Sequence, residues 1–349
     1  MKLSGMFKIE KTKSSITRLI VLVAVMVLLL TLPLWGGMIF GQKYDYVILI
    51  VRLMGVYITI GQMWNLLAGY SGLVSLGLQM FIGVGAFTLA LVSNYWHVPL
   101  ILGLLMGGAM STVISIGLSY LLLRMRGMYF AIASWMFAQA AVLVIVQFTL
   151  FGKGQGLYID AARPLNATQQ YYFSVVLVIV VTIVFVFLLR SKLGLGLLAI
   201  RDNDTASQTS GVPLFRSKLI CMMIASFITG VTGGVYYIAN IWIQPYTAFN
   251  ILTWTVPAVF IVVIGGIGTI TGPIIGGIIY VFLSQYLATL SQIGSLNMVI
   301  LGVIAVVAII VAPKGIVGTL QNRFGFEIIS ARRWMKKNYT DRLPDSAFE

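Results

Sequence analysis

Long uninterrupted runs of apolar residues constrain the fold of this chain more than any other feature of its sequence. The runs LIVLVAVMVLLL at 19–30 and SVVLVIVVTIVFVFLL at 174–189 belong to stretches that approach the roughly 20 residues a helix needs to cross a bilayer. They lack the alternation of apolar and polar residues that marks the strands of a transmembrane barrel. Because backbone polar groups in lipid must be paired within the protein, these runs predict membrane-spanning helices.

The composition supports the same fold class. Only 9% of the 349 residues are charged, against about a quarter in soluble domains, so most of the surface must face lipid. We therefore predict an all-α fold, a polytopic transmembrane bundle of about ten spans with glycine-interrupted helices. The predicted spans are 19–40, 46–66, 76–94, 99–123, 128–149, 171–189, 218–239, 252–266, 271–288 and 297–312.

The distribution of charge predicts an orientation in the membrane. With ten spans both termini lie on one side, and 19 of the 23 Lys and Arg residues fall on that side. An excess of basic residues marks the cytoplasmic side of a membrane protein. The net charge of +14 therefore indicates a multi-pass plasma-membrane protein in contact with lipid, with both termini cytoplasmic, and not a nucleic-acid-binding protein.

One membrane domain is expected between two basic segments. The predicted bounds are 1–18 for a cytoplasmic head, 19–312 for the membrane domain and 313–349 for a cytoplasmic tail. Two connections inside the domain are long enough to carry a role of their own. They are an extracytoplasmic loop at 150–170 and a cytoplasmic loop at 190–218.

The predicted spans lack the residues that support catalysis or proton coupling. None of the nine acidic residues falls in a span, and the single histidine, His97, lies in a short outer loop. Proton-coupled carriers and intramembrane enzymes place such groups inside the membrane. The chain has no G-x-x-x-x-G-K-[ST] motif either, so the energy for driven transport would come from another chain. We expect a transport protein without catalytic residues, a metal site or a bound cofactor.

Two glycine-rich segments interrupt the apolar pattern, GYSGLVSLG at 69–77 and GGIGTITGP at 265–273. Each precedes a glycine-studded span, which predicts an internal pseudo-repeat, although close packing of small residues is an alternative explanation. Broken backbone at membrane depth is tolerated where protein or a water-filled cavity covers it. The first segment is therefore our candidate for the solute path, and a plain cytoplasmic turn is the alternative. The candidate path residues are Tyr70, Ser71, Gly72, Ser75, Gly77 and Gln79.

Arg52 is the only charged residue inside a predicted span. It follows Asp45 by about two helical turns, so both side chains project from nearly the same face. Our preferred interpretation is that Arg52 extends outward to that carboxylate. The alternative is that it faces an aqueous path and binds a carboxylate-bearing substrate.

The segment AIRDNDTASQTSGVP at 199–213 has the form of one short capped helix on the large cytoplasmic loop. Asp202, Asn203 or Asp204 can cap its start, where acids also complement the helix dipole. Gly211 can end it in a left-handed turn, and Pro213 prevents its continuation. Because a solvated connector needs no such definition, we predict a docking element for a cytoplasmic partner.

The chain resembles the membrane permease subunits of ABC importers for branched-chain amino acids, the Liv M-type permeases, whose relatives transport urea and short amides. Four segments carry the resemblance: NLLAGYSGLVSLG (65–77), RMRGMYFAIASWMFAQ (124–139), AIRDNDTASQTSGVPLFRSKL (199–219) and VVIGGIGTITGPIIGG (262–277). The resemblance implies half of a pore shared with a homologous second permease subunit, in a bacterial- or archaeal-type membrane. It also implies two cytoplasmic ATP-binding subunits that use ATP and Mg, and an extracytoplasmic substrate-binding protein.

The same resemblance implies which residues dock on the ATPase. They are Arg201, Asp202, Asn203, Asp204, Thr205, Ala206 and Gly211. The chain departs from the family pattern at Leu78, where histidine is common, and at Gln79, which leaves the substrate open. We expect an ATP-driven importer for a branched-chain amino acid or a related small amino acid or amide. A passive channel for a small neutral solute such as urea is the alternative.

Overall fold

The computed structural model describes residues 13–290, 296–311 and 315–324, and most of them are helical. The helices are α1 Lys13–Phe40, α2 Tyr44–Asn65, α3 Leu78–Trp96, α4 Leu100–Leu122, α5 Met128–Gln147, α6 Ala167–Arg190, α7 Lys192–Asp202, α8 Asp204–Thr209, α9 Leu214–Asn240, α10 Pro245–Ala248, α11 Thr255–Gly265, α12 Gly272–Leu290, α13 Leu296–Val311 and α14 Gly315–Phe324. Two short strands, β1 Leu157–Tyr158 and β2 Trp242–Ile243, pair antiparallel.

Seven segments of the described chain are long and apolar enough to cross a membrane. The first, Met26–Tyr70, contains the C-terminal part of α1 and all of α2, which a 3₁₀ turn at Gly41–Lys43 separates. These segments confirm an all-α, multi-pass membrane bundle. The span predicted at 252–266 is instead the half-length helix α11, whose 11 residues rise only about 16 Å. A helix of that length cannot cross a bilayer by itself.

Helices α3, α4 and α9 pack as a tight three-helix core because each presents small residues where the helices cross. A Cβ added at Gly85 would lie 2.1 Å from the Gly230 carbonyl oxygen, and one at Gly107 would lie 2.6 Å from the Gly85 carbonyl oxygen. Ser111 on α4 donates a hydrogen bond to the Phe81 carbonyl of α3 at 3.1 Å. Small residues let helix backbones approach closely where lipid supplies no hydrophobic driving force.

Helix α2 lies at the centre of the bundle, between α6 on one side and α11 with α12 on the other. A Cβ at Gly55 would lie 2.3 Å from the Ser174 hydroxyl of α6, and one at Gly61 would lie 2.7 Å from Ile261 of α11. Both spacings exclude any larger residue without movement of the neighbouring helix. The tight packing fixes the C-terminal half of α2 and therefore the position of the segment that follows it.

The two ends of the bundle differ. At one, which we call the ribbon end, β1 pairs with β2, and Asn94 at the end of α3 donates to the Tyr158 carbonyl at 2.6 Å. The expected outer loop at 150–170 is held there. At the other, which we call the turn end, lie the glycine-rich segments 69–77 and 265–273, named here the first and second turns.

Several observed boundaries differ from the predicted ones. Helix α9 begins at Leu214 instead of 218, so the connection after α6 is shorter than predicted and is itself mostly helical. Helix α1 begins at Lys13, inside the predicted head, and residues 1–12 of that head lie outside the described residues. Of the predicted tail, α14 is described and 325–349 lie outside the described residues.

Candidate functional site

Helix α2 continues into a π-helix at Leu66–Tyr70, and the first turn begins within that π-helix. The Leu67 carbonyl accepts hydrogen bonds from the Ser71 hydroxyl at 2.7 Å and from the Leu73 amide at 2.9 Å. These bonds satisfy a carbonyl that would otherwise be unpaired where the helix ends. Single π turns within α-helices are frequent at functional sites.

After the π turn the chain runs without helix to Gly77, and its backbone is covered by neighbouring helices. The Trp64 indole donates to the Ser75 carbonyl at 2.9 Å, and the Leu76 amide donates to the Ser134 hydroxyl of α5 at 3.0 Å. A Cβ at Gly77 would lie 2.3 Å from the Ser134 carbonyl oxygen. Buried irregular backbone is stable at membrane depth because protein groups pair it in this way.

The polar side chains predicted to line the solute path are buried inside this subunit. Tyr70 is 2% exposed and packs edge-on against Phe185 of α6, with ring centroids 5.7 Å apart. Gln79 accepts a hydrogen bond from the Thr255 hydroxyl at the start of α11. The other buried candidates are Ser71, Ser75 and Gly77. These residues form the wall behind the turn.

Aliphatic side chains are what the two turns expose. In the first turn Val74 is 46% exposed and Gly72 is open, while Leu73 and Ser75 on either side are buried. In the second turn Ile267 is 52% exposed. Sequence reasoning overlooked Val74 and Ile267 because an apolar residue in an apolar chain carries no signal of its own.

Asn65 joins the two turns, and its side-chain amide is fully used. Its Nδ2 donates to the Thr269 carbonyl at 2.8 Å, and its Oδ1 accepts from the Gly268 amide at 2.8 Å. The residue is 0% exposed. Gly69 must be glycine because a Cβ there would lie 2.2 Å from the Asn65 Oδ1. The only sequence signal for Asn65 is its place as an amide beside the glycine-rich run.

Arg201 reaches the same point from the end of α7. Its Nη1 donates to the Gly69 carbonyl at 2.8 Å, while Nε and Nη2 contact the Asp202 Oδ1 at 3.3 and 3.2 Å. Gly268 is so near that a Cβ there would lie 2.9 Å from the Arg201 Nη1. The structure therefore brings Asn65, Gly69, Gly268 and Arg201 into one cluster, which we call the turn cluster.

The predicted single helix at 199–213 is wrong. Asn203 has extended backbone, φ −159° and ψ 111°, so α7 ends before it and α8 begins after it. Its side-chain Oδ1 accepts hydrogen bonds from the Thr205 and Ala206 amides at 2.9 and 3.1 Å, which makes Asn203 the cap of α8. The predicted left-handed turn at Gly211 is confirmed by its φ of +84°.

Asp204 anchors α8 to α9. Both of its carboxylate oxygens accept from the Lys218 ammonium, at 3.0 and 3.1 Å. The side chains are only 29% and 13% exposed, so solvent screens the pair less than a surface pair. Asp204 therefore supports α8 from inside and presents little of itself to a partner.

We expect the Asp204–Lys218 pair to stabilise the fold measurably. In a double-mutant cycle with Asp204→Asn and Lys218→Gln, the coupling free energy should be about 1 kcal/mol in denaturant unfolding of the purified protein in detergent. The matched control is the pair Asp160–Arg163, whose side chains are 62% and 60% exposed and whose coupling should be near zero. Equal coupling in the two pairs would contradict the anchoring role.

Arg52 does not pair with Asp45 as preferred from the sequence. Its Nη1 donates to the Gln170 Oε1 in the first turn of α6 at 2.8 Å, and no salt bridge joins it to Asp45. Its carbonyl accepts from the Ser174 hydroxyl at 2.6 Å. Arg52 thus lies at the α2–α6 contact near the ribbon end, remote from the turn cluster.

Ionisable groups that could hold a metal are not assembled in the described part of the chain. Within residues 13–290, 296–311 and 315–324, no three His, Cys, Asp or Glu side chains are placed to share an ion. Cys221 is buried, and its thiol contacts the Leu66 carbonyl at 3.7 Å. That contact satisfies another carbonyl of the π turn.

Comparison with known proteins matches most of the chain to one family of membrane transport proteins. Residues 46–309 match the family described as "Branched-chain amino acid transport system / permease component", a range that includes α2, both turns and α7–α9. No solved structure gives a significant match to the chain.

Named relatives cover most of the chain. It is 25% identical over 333 residues to the high-affinity branched-chain amino acid transport system permease protein LivM of Escherichia coli K12, spanning 87% of this chain and 76% of the relative. Identity to LivM of Salmonella typhimurium LT2 is 24% over 321 residues, or 83% and 73% of the two chains. A probable LivH permease of Methanocaldococcus jannaschii is 29% identical over 137 residues, 38% of this chain and 42% of that one. The chain therefore belongs to the family of branched-chain amino acid transport permeases and is a multi-pass membrane transport protein.

Proposed function

We propose that this chain forms half of the translocation pore of an ATP-driven importer for a branched-chain amino acid or a related small amino acid or amide. The observation that carries the proposal is the turn cluster, in which the α7–α8 element contacts both glycine turns through Arg201. A passive channel has no need of a partner-docking element joined to its turns. The LivM relatives are high-affinity branched-chain amino acid transport permeases, which supports the substrate class.

The proposed orientation places the turn end in the cytoplasm. Arg124, Arg190 and Arg216 lie beside helix ends or starts at that end of the bundle. Basic residues concentrate on the cytoplasmic side of membrane proteins, so their position supports a plasma membrane of bacterial or archaeal type with both termini cytoplasmic. The ribbon end would then face the outer substrate-binding protein.

The proposed partners follow from this orientation. A homologous second permease subunit would complete the pore, and two cytoplasmic ATP-binding subunits would supply ATP hydrolysis with Mg. Exposed residues of α8 and its ends offer the docking surface, while Arg201, whose side chain is 38% exposed, directs its Nη1 at the Gly69 carbonyl. These exposed residues are Asp202, Asn203, Thr205, Ala206, Gln208 and Gly211. This chain would bind no cofactor of its own.

The proposed solute path passes the exposed side of the two turns. Val74, Ile267 and Gly72 border it directly, and the buried residues Tyr70 and Gln79 support the wall behind them. Aliphatic side chains at such a point can close a pore by excluding water. Gly72 has φ +71°, so a larger residue there would strain the turn, and Val74 is the better position for substitution.

The docking proposal predicts that Gln208→Arg lowers co-purification of the ATP-binding subunits at least about tenfold, because a bulky charge at the centre of an interface costs that order of affinity. Gln208 is exposed on α8 and its side chain makes no hydrogen bond, so the fold should be unaffected. Asp204→Lys and Gly211→Pro would be poor tests because both would disturb the fold of the loop. Asp204 pairs with Lys218, and Gly211 has φ +84°, which proline cannot adopt.

The matched control is Gln155→Arg, the same substitution at an exposed residue near the ribbon end. Affinity pull-down with all importer subunits co-expressed measures both variants. Undiminished recovery of the ATP-binding subunits with Gln208→Arg would remove α8 from the interface. Solute uptake by the purified chain alone in liposomes without ATP would show a passive channel instead.

A further inference from the structure

We propose that Arg201 is the positioning residue through which movement of the α7–α8 element reaches both glycine turns. The inference rests on the proposed importer function and adds the side chain that transmits the movement. It also assigns different roles to two parts of one loop. The exposed residues of α8 bind the partner, and Arg201 bonds the first turn, which borders the pore.

The contacts of Arg201 connect three regions that are distant in sequence. Its Nη1 donates to the Gly69 carbonyl, 132 positions away, at 2.8 Å. A Cβ at Gly268 in the second turn would lie 2.9 Å from the same nitrogen and 3.3 Å from the Gly69 carbonyl oxygen. One guanidinium therefore bonds the first turn and lies beside Gly268 of the second.

The guanidinium has partners on two sides. Nε and Nη2 face the Asp202 Oδ1, and Nη1 is directed at the Gly69 carbonyl. The pair with Asp202 is solvent-exposed, with side chains 38% and 72% exposed, and contributes little, whereas a hydrogen bond from an ionised donor to the half-buried turn is stronger than a neutral one. Displacement of the end of α7 must therefore displace Gly69 or break this bond.

The turns are suited to move as a unit. Gly72, Gly266 and Gly268 have φ values of +71°, +127° and +73°, a region that glycine enters without strain. Asn65 bonds both Gly268 and Thr269, so the second turn follows the first. A shift that enters through Arg201 would thus change the positions of the exposed Val74 and Ile267 together.

The test uses the complete importer in proteoliposomes with solute in excess, and measures uptake, ATP hydrolysis and co-purification. The Arg201→Ala importer should retain its ATP-binding subunits and their ATP hydrolysis. Its uptake per ATP hydrolysed should fall at least about tenfold, because a hydrogen bond from a charged donor contributes a free energy of that order. Arg201→Lys keeps a charged donor and should recover part of the ratio. The control Arg216→Ala removes an exposed arginine near the same end and should leave the ratio unchanged.

Two outcomes would overturn the proposal. An unchanged ratio of uptake to hydrolysis in a folded Arg201→Ala importer would show that the contact transmits nothing. If the Arg201→Ala and Arg201→Lys variants both lost the ATP-binding subunits to the same extent, Arg201 would be a docking residue. Failure of the underlying function looks different, because then the unmodified chain itself would bind no ATP-binding subunit.

Discussion

Gly107→Leu is expected to prevent stable assembly of the helix bundle, while Gly117→Leu on the same helix leaves it intact. At Gly107 the first side-chain carbon would lie 2.6 Å from the Gly85 carbonyl oxygen, which is backbone and cannot rotate aside. Helices α3 and α4 would have to separate, and the tight contact of α3 with Gly230 would be lost with them. Overpacking of this kind costs about 3 kcal/mol or more.

Gly117 provides the internal control because a Cβ there meets nothing within 4 Å. The two variants share a helix, a substitution and a change in helix propensity, so they differ only in what surrounds the new side chain. Size-exclusion profiles in detergent and the midpoint of thermal unfolding measure the effect. Equal behaviour of the two variants would contradict the described packing of α3, α4 and α9.

Asn65→Leu is expected to destabilise the turn end severely and to abolish transport. The substitution leaves the half-buried Gly268 amide and Thr269 carbonyl without partners and places branched carbons where Gly69 allows no room. A buried backbone group left unpaired costs about 1–3 kcal/mol, and because these two groups are only half-buried the pair costs about 2 kcal/mol. That is a large part of the stability of a typical folded protein.

The control for Asn65→Leu is Asn240→Leu. Asn240 is exposed at the end of α9 and donates one hydrogen bond to the Tyr236 carbonyl at 3.1 Å. Denaturant unfolding in detergent should separate the two variants, and proteolysis should cut 265–273 faster in Asn65→Leu. An Asn65→Leu protein as stable as Asn240→Leu would show that the amide does not hold the turns together.

Local patterns in the sequence correctly predicted those features that depend on local chemistry. Apolar runs predict helices because unpaired backbone is too costly in lipid, and the long helices appear where the runs are. Gly211 ends its helix with φ +84° because only glycine enters that region freely. The half-length α11 was missed because its apolar run continues through residues that are not helical.

The site itself was predicted only in part. The glycine-rich segments and the loop at 199–213 were recognised, but their contact was not, because Arg201 and Gly69 are 132 positions apart and nothing local records their meeting. The sequence predicted a path lined by polar residues near the interruption of the apolar pattern, namely Tyr70, Ser71, Ser75 and Gln79. In the structure they are buried, and the exposed residues of the turns are Val74 and Ile267.

The sequence by itself determined that this chain is a helical membrane protein with two glycine turns and a defined loop between its sixth and seventh long helices. These properties follow from hydropathy and backbone freedom, which act over a few residues. Only the tertiary structure decided that Asn65, at the end of α2, bonds the second turn and that Arg201 bonds the first. The physical reason is that buried amide and carbonyl groups at an irregular backbone must find partners, and those partners come from wherever the packed helices bring donors within 3 Å.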